Sequence, residues 1–71
     1  KNGNIIRGDS VVMEGNENFI DSGEKFTAVI GLDNIVVINT DDATLVVDKN
    51  KVEKVKDLVE FLKKSNKTDL I

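Results

Sequence analysis

The sequence predicts a mainly β domain closed by a single C-terminal α-helix. Three observations predict it. Turn-forming residues cut the segment 1–25 at intervals too short for a helix. Continuous β-branched and apolar runs follow, each bounded by Gly, Asn or Asp. From Val52 onward the apolar residues recur at intervals of 3, 3, 1 and 3, the spacing of one helix stripe.

The opening segment, residues 1–25, holds the short apolar pieces Ile5-Ile6, Val11-Val12-Met13 and Phe19-Ile20. Gly3, Gly8-Asp9, Gly15-Asn16 and Ser22-Gly23 separate them. Glycine tolerates positive φ, and Asn and Asp hydrogen-bond their own backbone, so these are turn positions. Strands are expected at Phe26–Ile30, Ile35–Ile38 and Ala43–Asp48, with turns at Gly31–Asn34 and Asn39–Asp42. IVVI and LVV are unbroken apolar runs, the pattern of strands covered on both faces. No long crossover separates the strands. They form either an antiparallel meander or successive walls of a small β-helix, and no convincing internal repeat decides between them. The final helix is placed at about 51–65. Asn50 is its expected N-cap, Glu53 closes a capping-box-like pair, and Lys63 and Lys64 suit the C-terminal end of the dipole. Phe61 lies off the main stripe.

Composition narrows the function classes. The chain has 71 residues, no Cys, no His, no Trp, no Tyr and no Pro. Neither a disulfide framework nor a zinc site is available to stabilise so small a body. A chain of this size buries only about 60% of the surface its unfolded form exposes. Help from outside the chain is therefore expected, from a parent domain or a second copy. The chain starts at Lys1, as expected of a mature product or an excised piece. Net charge is −3, divided into −5 over residues 1–47 (three bases, eight acids) and +2 over residues 48–71 (seven lysines, five acids). An acidic body with three phenylalanines and no other aromatic argues against nucleic-acid binding. No apolar run approaches the length of a membrane-spanning helix, and no charged-then-apolar signal peptide is recognised at the start.

Each candidate motif competes with a plainer reading. RGDS (Arg7–Ser10) has the letters of an adhesion signal, but without secreted-domain context it reads as a Gly8-Asp9 turn. DKNKVE (Asp48–Glu53) resembles the opening of a calcium loop, yet Val52 and Glu53 stand where an EF-hand needs Asp or Asn and then Gly. It reads instead as a helix start, with Asp48 and Asn50 supplying capping oxygens. Asp41-Asp42, with Asp33, could attract a hard cation, but paired acids in a turn are usually solvated. Asn66-Lys67-Thr68 is a glycosylation sequon that matters only in a secreted chain. Lys51, Lys54, Lys56, Lys63 and Lys64 could suit a membrane surface, but Glu53, Asp57 and Glu60 interleave with them. Glu60 falls one turn from both Lys56 and Lys64, as on a solvated face. With no phosphate-cradling glycine loop and no His or Cys, no catalytic, cofactor-binding or metal residue is assigned.

One stretch carries more. FTAVIGLDNIVVINTDDATLVVDKNKVEKVKDLVEFLK, Phe26 to Lys63, resembles the C-terminal segment of bacterial mannose-1-phosphate guanylyltransferases (GDP-mannose pyrophosphorylases). The Gly-Leu-acid-Asn turn, the β-branched run and the Thr-Asp-Asp-Ala turn occur in that order, followed by V-x-x-V-K-D-L-V. GNIIRGD (3–9) and NENFIDS (16–22) match the order of the preceding elements. Ser22-Gly23-Glu24-Lys25 departs from the more acidic turn of the family, and Thr27, Thr44 and Val47 are side-chain variations. The resemblance implies a single C-terminal domain over 1–71, with β strands and turns in 1–48 and helix and tail in 49–71. Its implied fold is a short left-handed β-helix followed by the helix. It further implies a cytoplasmic, non-catalytic linker domain that packs on an N-terminal nucleotidyltransferase domain and contributes to a homodimer. The family's enzymes make GDP-mannose and pyrophosphate from GTP and mannose 1-phosphate with magnesium, on residues absent from this chain. A free-standing adhesion module using Arg7-Gly8-Asp9, or the same domain in a nucleotidyltransferase for another sugar, remains the alternative.

Overall fold

A computed structural model describes residues 3–66. Its strands are β1 (Ile5–Arg7), β2 (Ser10–Met13), β3 (Phe19–Asp21), β4 (Thr27–Ile30), β5 (Ile35–Asn39) and β6 (Thr44–Asp48). A 3-10 turn (Lys49–Lys54) leads into α1 (Val55–Lys64). β1, β3 and β5 stack in parallel on one wall, and β2 and β4 stack in parallel on a second. Parallel strands normally need a helical crossover. Here the chain winds around the core, so each strand lies beside the equivalent strand of the next turn. This is a β-helix, as the resemblance implied.

The meander reading is also realised, at one place. After β5 the chain reverses through Thr40–Ala43, and β6 pairs antiparallel with β5, Val37 beside Val46. Thr40 fixes this turn: its amide donates to the Ala43 carbonyl, and the Ala43 amide donates to Thr40 Oγ1. The wall of β1, β3, β5 and β6 therefore extends past the second wall, which stops at β4.

The coil also repeats, with unequal turns. On the first wall Ile5 stacks on Phe19, and Phe19 stacks on Val36. On the second wall Ser10 stacks on Thr27. The first turn is the shorter one. Its corner between β1 and β2 has fewer residues than the corner between β3 and β4, since Arg7 aligns with Asp21 but Ser10 with Thr27. This inequality hides the period from a sequence scan.

Strand alternation sends one row inward. Ile6, Ile20 and Val37 align on the first wall, and Val12 and Val29 on the second. Ile20, Val29 and Val37 are the buried apolar centre, with Val12 and Ile35 packed against them. Each such burial contributes about 1.5–3 kcal/mol, so the core is small. Corners stack as well: Gly3, Glu17 and Asn34, aligned by the same register, all have positive φ (75°, 61° and 61°). Asn18, fully buried, joins three turns of backbone. Its amide donates to Asn4 Oδ1, its Nδ2 donates to the Leu32 carbonyl, and its Oδ1 accepts from the Ile35 amide.

Two expectations need correction. The helix does not run unbroken from 51. Lys51 has φ −127° and ψ 20°, so the 3-10 turn is kinked and α1 begins only at Val55. Asp48, not Asn50, is the cap: its side chain accepts from the Asn50 amide at 2.7 Å. Val52 is thereby displaced from the apolar stripe and is exposed. The second correction concerns LVV. IVVI is at least partly covered on both faces, but Val46 is 59% exposed, because no second-wall strand lies opposite β6.

Candidate assembly surfaces

The coil ends in two open faces. At the N-terminal end, β1 and β2 are edge strands, and Ile6 of the inward row is 42% exposed because no turn of coil covers it. At the other end the hairpin carries Val46 beyond β4. A third apolar surface is the outer face of β2 and β4. Val11 and Met13 align there with Ala28 and Ile30 and point away from the core. Ile30 is 64% exposed, and Phe26, just before β4, is 63% exposed. The alternation in SVVM and TAVI carried this signal, since successive residues of a strand cannot both face one core.

The fourth surface is a groove of about 340 Å³ between the β5–β6 hairpin and α1. Ile38, Ala43 and Leu45 line one side, and Val55, Leu58, Val59 and Leu62 line the other. These helix residues are the stripe expected from the sequence, yet α1 has no fully buried residue. Phe61 is exposed on the flank of that stripe.

The polar candidates are dispersed. Arg7, Gly8 and Asp9 are exposed at the β1–β2 corner. Gly8 has φ +88°, and a Cβ there would collide with Ser22 Oγ. The Asp9 carbonyl accepts from the Thr27 amide, tying this corner to the next turn of coil. Asp33 accepts from the Asn16 amide at 2.8 Å and so braces two stacked corners. Asp41 and Asp42 are exposed at the hairpin tip. Among the described residues no group of three or more His, Cys, Asp or Glu side chains is placed to hold a metal ion. The α1 lysines are exposed, and the ion pair among the described residues is Lys54 with Asp57 at 4.0 Å. The expected Glu60 pairs with Lys56 and Lys64 do not close. Exposed pairs of this kind contribute about 0–1 kcal/mol. Asn66 ends the described chain, so Lys67 and Thr68 of the sequon lie outside it. No helix among the described residues is long and apolar enough to cross a membrane.

Comparison with known proteins agrees with this architecture. The sequence is 40% identical over 67 residues to an Escherichia coli mannose-1-phosphate guanylyltransferase, covering 94% of this chain and 14% of that protein. It is 41% identical over 68 residues to the alginate biosynthesis protein AlgA of Pseudomonas putida, covering 96% of this chain and 14% of that protein. The chain thus spans about one-seventh of the length of these relatives. The fold matches a crystal structure from Thermus thermophilus, described as a mannose-1-phosphate geranyltransferase, with a TM-score of 0.78 at 24% identity. That match covers 84% of this chain and 18% of the other. Residues 8–62 match the family described as MannoseP isomerase/GMP-like beta-helix domain. With the parallel coil, the closing helix and these matches in agreement, the chain belongs to the MannoseP isomerase/GMP-like beta-helix domain family.

Proposed function

We propose that the chain is the non-catalytic C-terminal assembly domain of a mannose-1-phosphate guanylyltransferase. One observation carries this: relatives bearing that name match over 94% of the chain, while the chain accounts for 14% of their length. The rest of such a protein is long enough to hold the GTP and mannose 1-phosphate sites. The composition supports the division of labour, since a chain with no His and no Cys has few groups for proton transfer or nucleophilic attack near neutral pH. Magnesium is expected for the whole enzyme, with its nucleotidyltransferase domain.

Assembly is the role the apolar surfaces fit. The open N-terminal end of the coil, with Ile5 and Ile6, adjoins the point where an upstream nucleotidyltransferase domain would be tethered. Contact there would bury the inward row that the first turn leaves uncovered. The same domain would contribute to a homodimer, and the enzyme would work in the cytoplasm, where sugar nucleotides are made. The test is reconstitution. The upstream domain, produced separately, is expected to bind this chain in a pull-down, and Ile5→Lys with Ile6→Lys is expected to weaken that binding at least tenfold. Pyrophosphate release from GTP and mannose 1-phosphate by this chain alone would overturn the non-catalytic reading. Failure of the two parts to associate would overturn the assembly reading.

A further inference from the structure

We propose that the groove between α1 and the β5–β6 hairpin is a docking site for the chain's own segment Leu70-Ile71. The groove offers an almost wholly apolar lining, Ile38 and Leu45 facing Val55, Leu58, Val59 and Leu62. A helix as short as α1 is marginal in water unless its apolar face is buried, and α1 buries no residue fully. The groove is therefore the place where added apolar side chains would do most for the helix.

The end of α1 says which segment can reach it. The Ser65 amide donates to the Phe61 and Leu62 carbonyls, and the Asn66 amide donates to the Lys63 carbonyl. Asn66 has φ +61°, the left-handed conformation that commonly ends a helix. Lys67, Thr68 and Asp69 then form a polar spacer before two large aliphatic residues. From Asn66 to Leu70 the chain can reach about 13 Å at full extension. Along the helix axis, Leu62 lies about 6 Å, Leu58 about 12 Å and Val55 about 16 Å back from Asn66. Leu70 and Ile71 can therefore meet the helix side of the groove from Leu62 back to about Leu58. The order polar spacer then aliphatic pair is what such a return requires.

Methyl-labelled NMR on the full chain tests this directly. Expected are nuclear Overhauser contacts from Leu70 and Ile71 methyls to Leu45, Val59 or Leu62, unchanged on tenfold dilution. The double variant Leu70→Asp, Ile71→Asp is expected to lower the melting temperature by several degrees and to raise binding of an apolar dye, with β circular dichroism unchanged. A shortened chain ending at Asn66 is expected to do the same, which guards against a specific effect of the aspartates. Absence of the contacts, or a melting temperature unmoved in both variants, overturns the proposal. So would contacts that vanish on dilution, since a second copy would then be the occupant. None of these outcomes depends on the guanylyltransferase reading, whose test is association with the upstream domain.

Discussion

At the scale of single residues, the corners carry the specificity. Gly8 combines φ +88° with a Cβ position already occupied by Ser22 Oγ. Gly8→Val is therefore expected to cost about 2 kcal/mol or more, from left-handed strain on a β-branched residue plus displacement of Ser22. Arg7→Lys, one residue away on an exposed position, should stay within about 0.5 kcal/mol of the parent. Urea unfolding of the two variants checks both, and a stable Gly8→Val chain would contradict the corner geometry. Asn18 makes a different prediction. Removing its amide in Asn18→Ala leaves the Leu32 carbonyl and the Ile35 amide without their partner, a loss of about 2–4 kcal/mol. Ser10 offers the opposite sign: among the described residues its buried hydroxyl has no hydrogen-bond partner. Ser10→Ala should stabilise by about 0.5–1 kcal/mol in the same assay.

At the scale of elements, the coil and the helix differ in how they are held. β3 lies between β1 and β5, and its Ile20 is completely buried. α1 is joined to the coil through the 3-10 turn and faces an open groove. Amide exchange is therefore expected to be fastest in α1 and slowest in β3 and β5. Asp48 links the two parts, since its carboxylate caps the 3-10 turn. Asp48→Ala should cost about 1 kcal/mol. Its mark should be a selective rise in α1 exchange rates, with β3 unaffected. Equal acceleration across the molecule would mean that coil and helix unfold as one unit. Much of this scale was legible in advance. The runs Ile35–Ile38 and Leu45–Val47 became strands, and Val55, Leu58, Val59 and Leu62 became one helix stripe. The helix start was not, because a capping pattern cannot reveal that Lys51 leaves helical φ and ψ and isolates Val52.

At the scale of the whole molecule, the described residues enclose three buried apolar side chains and leave four apolar surfaces open. That balance is expected of a part that is completed by what it binds. Association with the upstream domain should raise the melting temperature of the chain, and the gain should grow with the concentration of that domain. Differential scanning fluorimetry across a titration checks it. The sequence by itself determined the fold class, the turn positions, the helix stripe and, through the Phe26–Lys63 stretch, the family. These are local patterns, set by φ preference and by side-chain period. Residue patterns left the stacking open, because parallel and antiparallel partners present the same alternation along the chain; the resemblance implied a β-helix, and the tertiary structure shows it. Tertiary structure alone decided that successive turns of coil differ in length and that only the last pair reverses direction. Asn18 shows the physical reason: its partners Asn4, Leu32 and Ile35 are distant in sequence, and only winding the chain around a core brings them together.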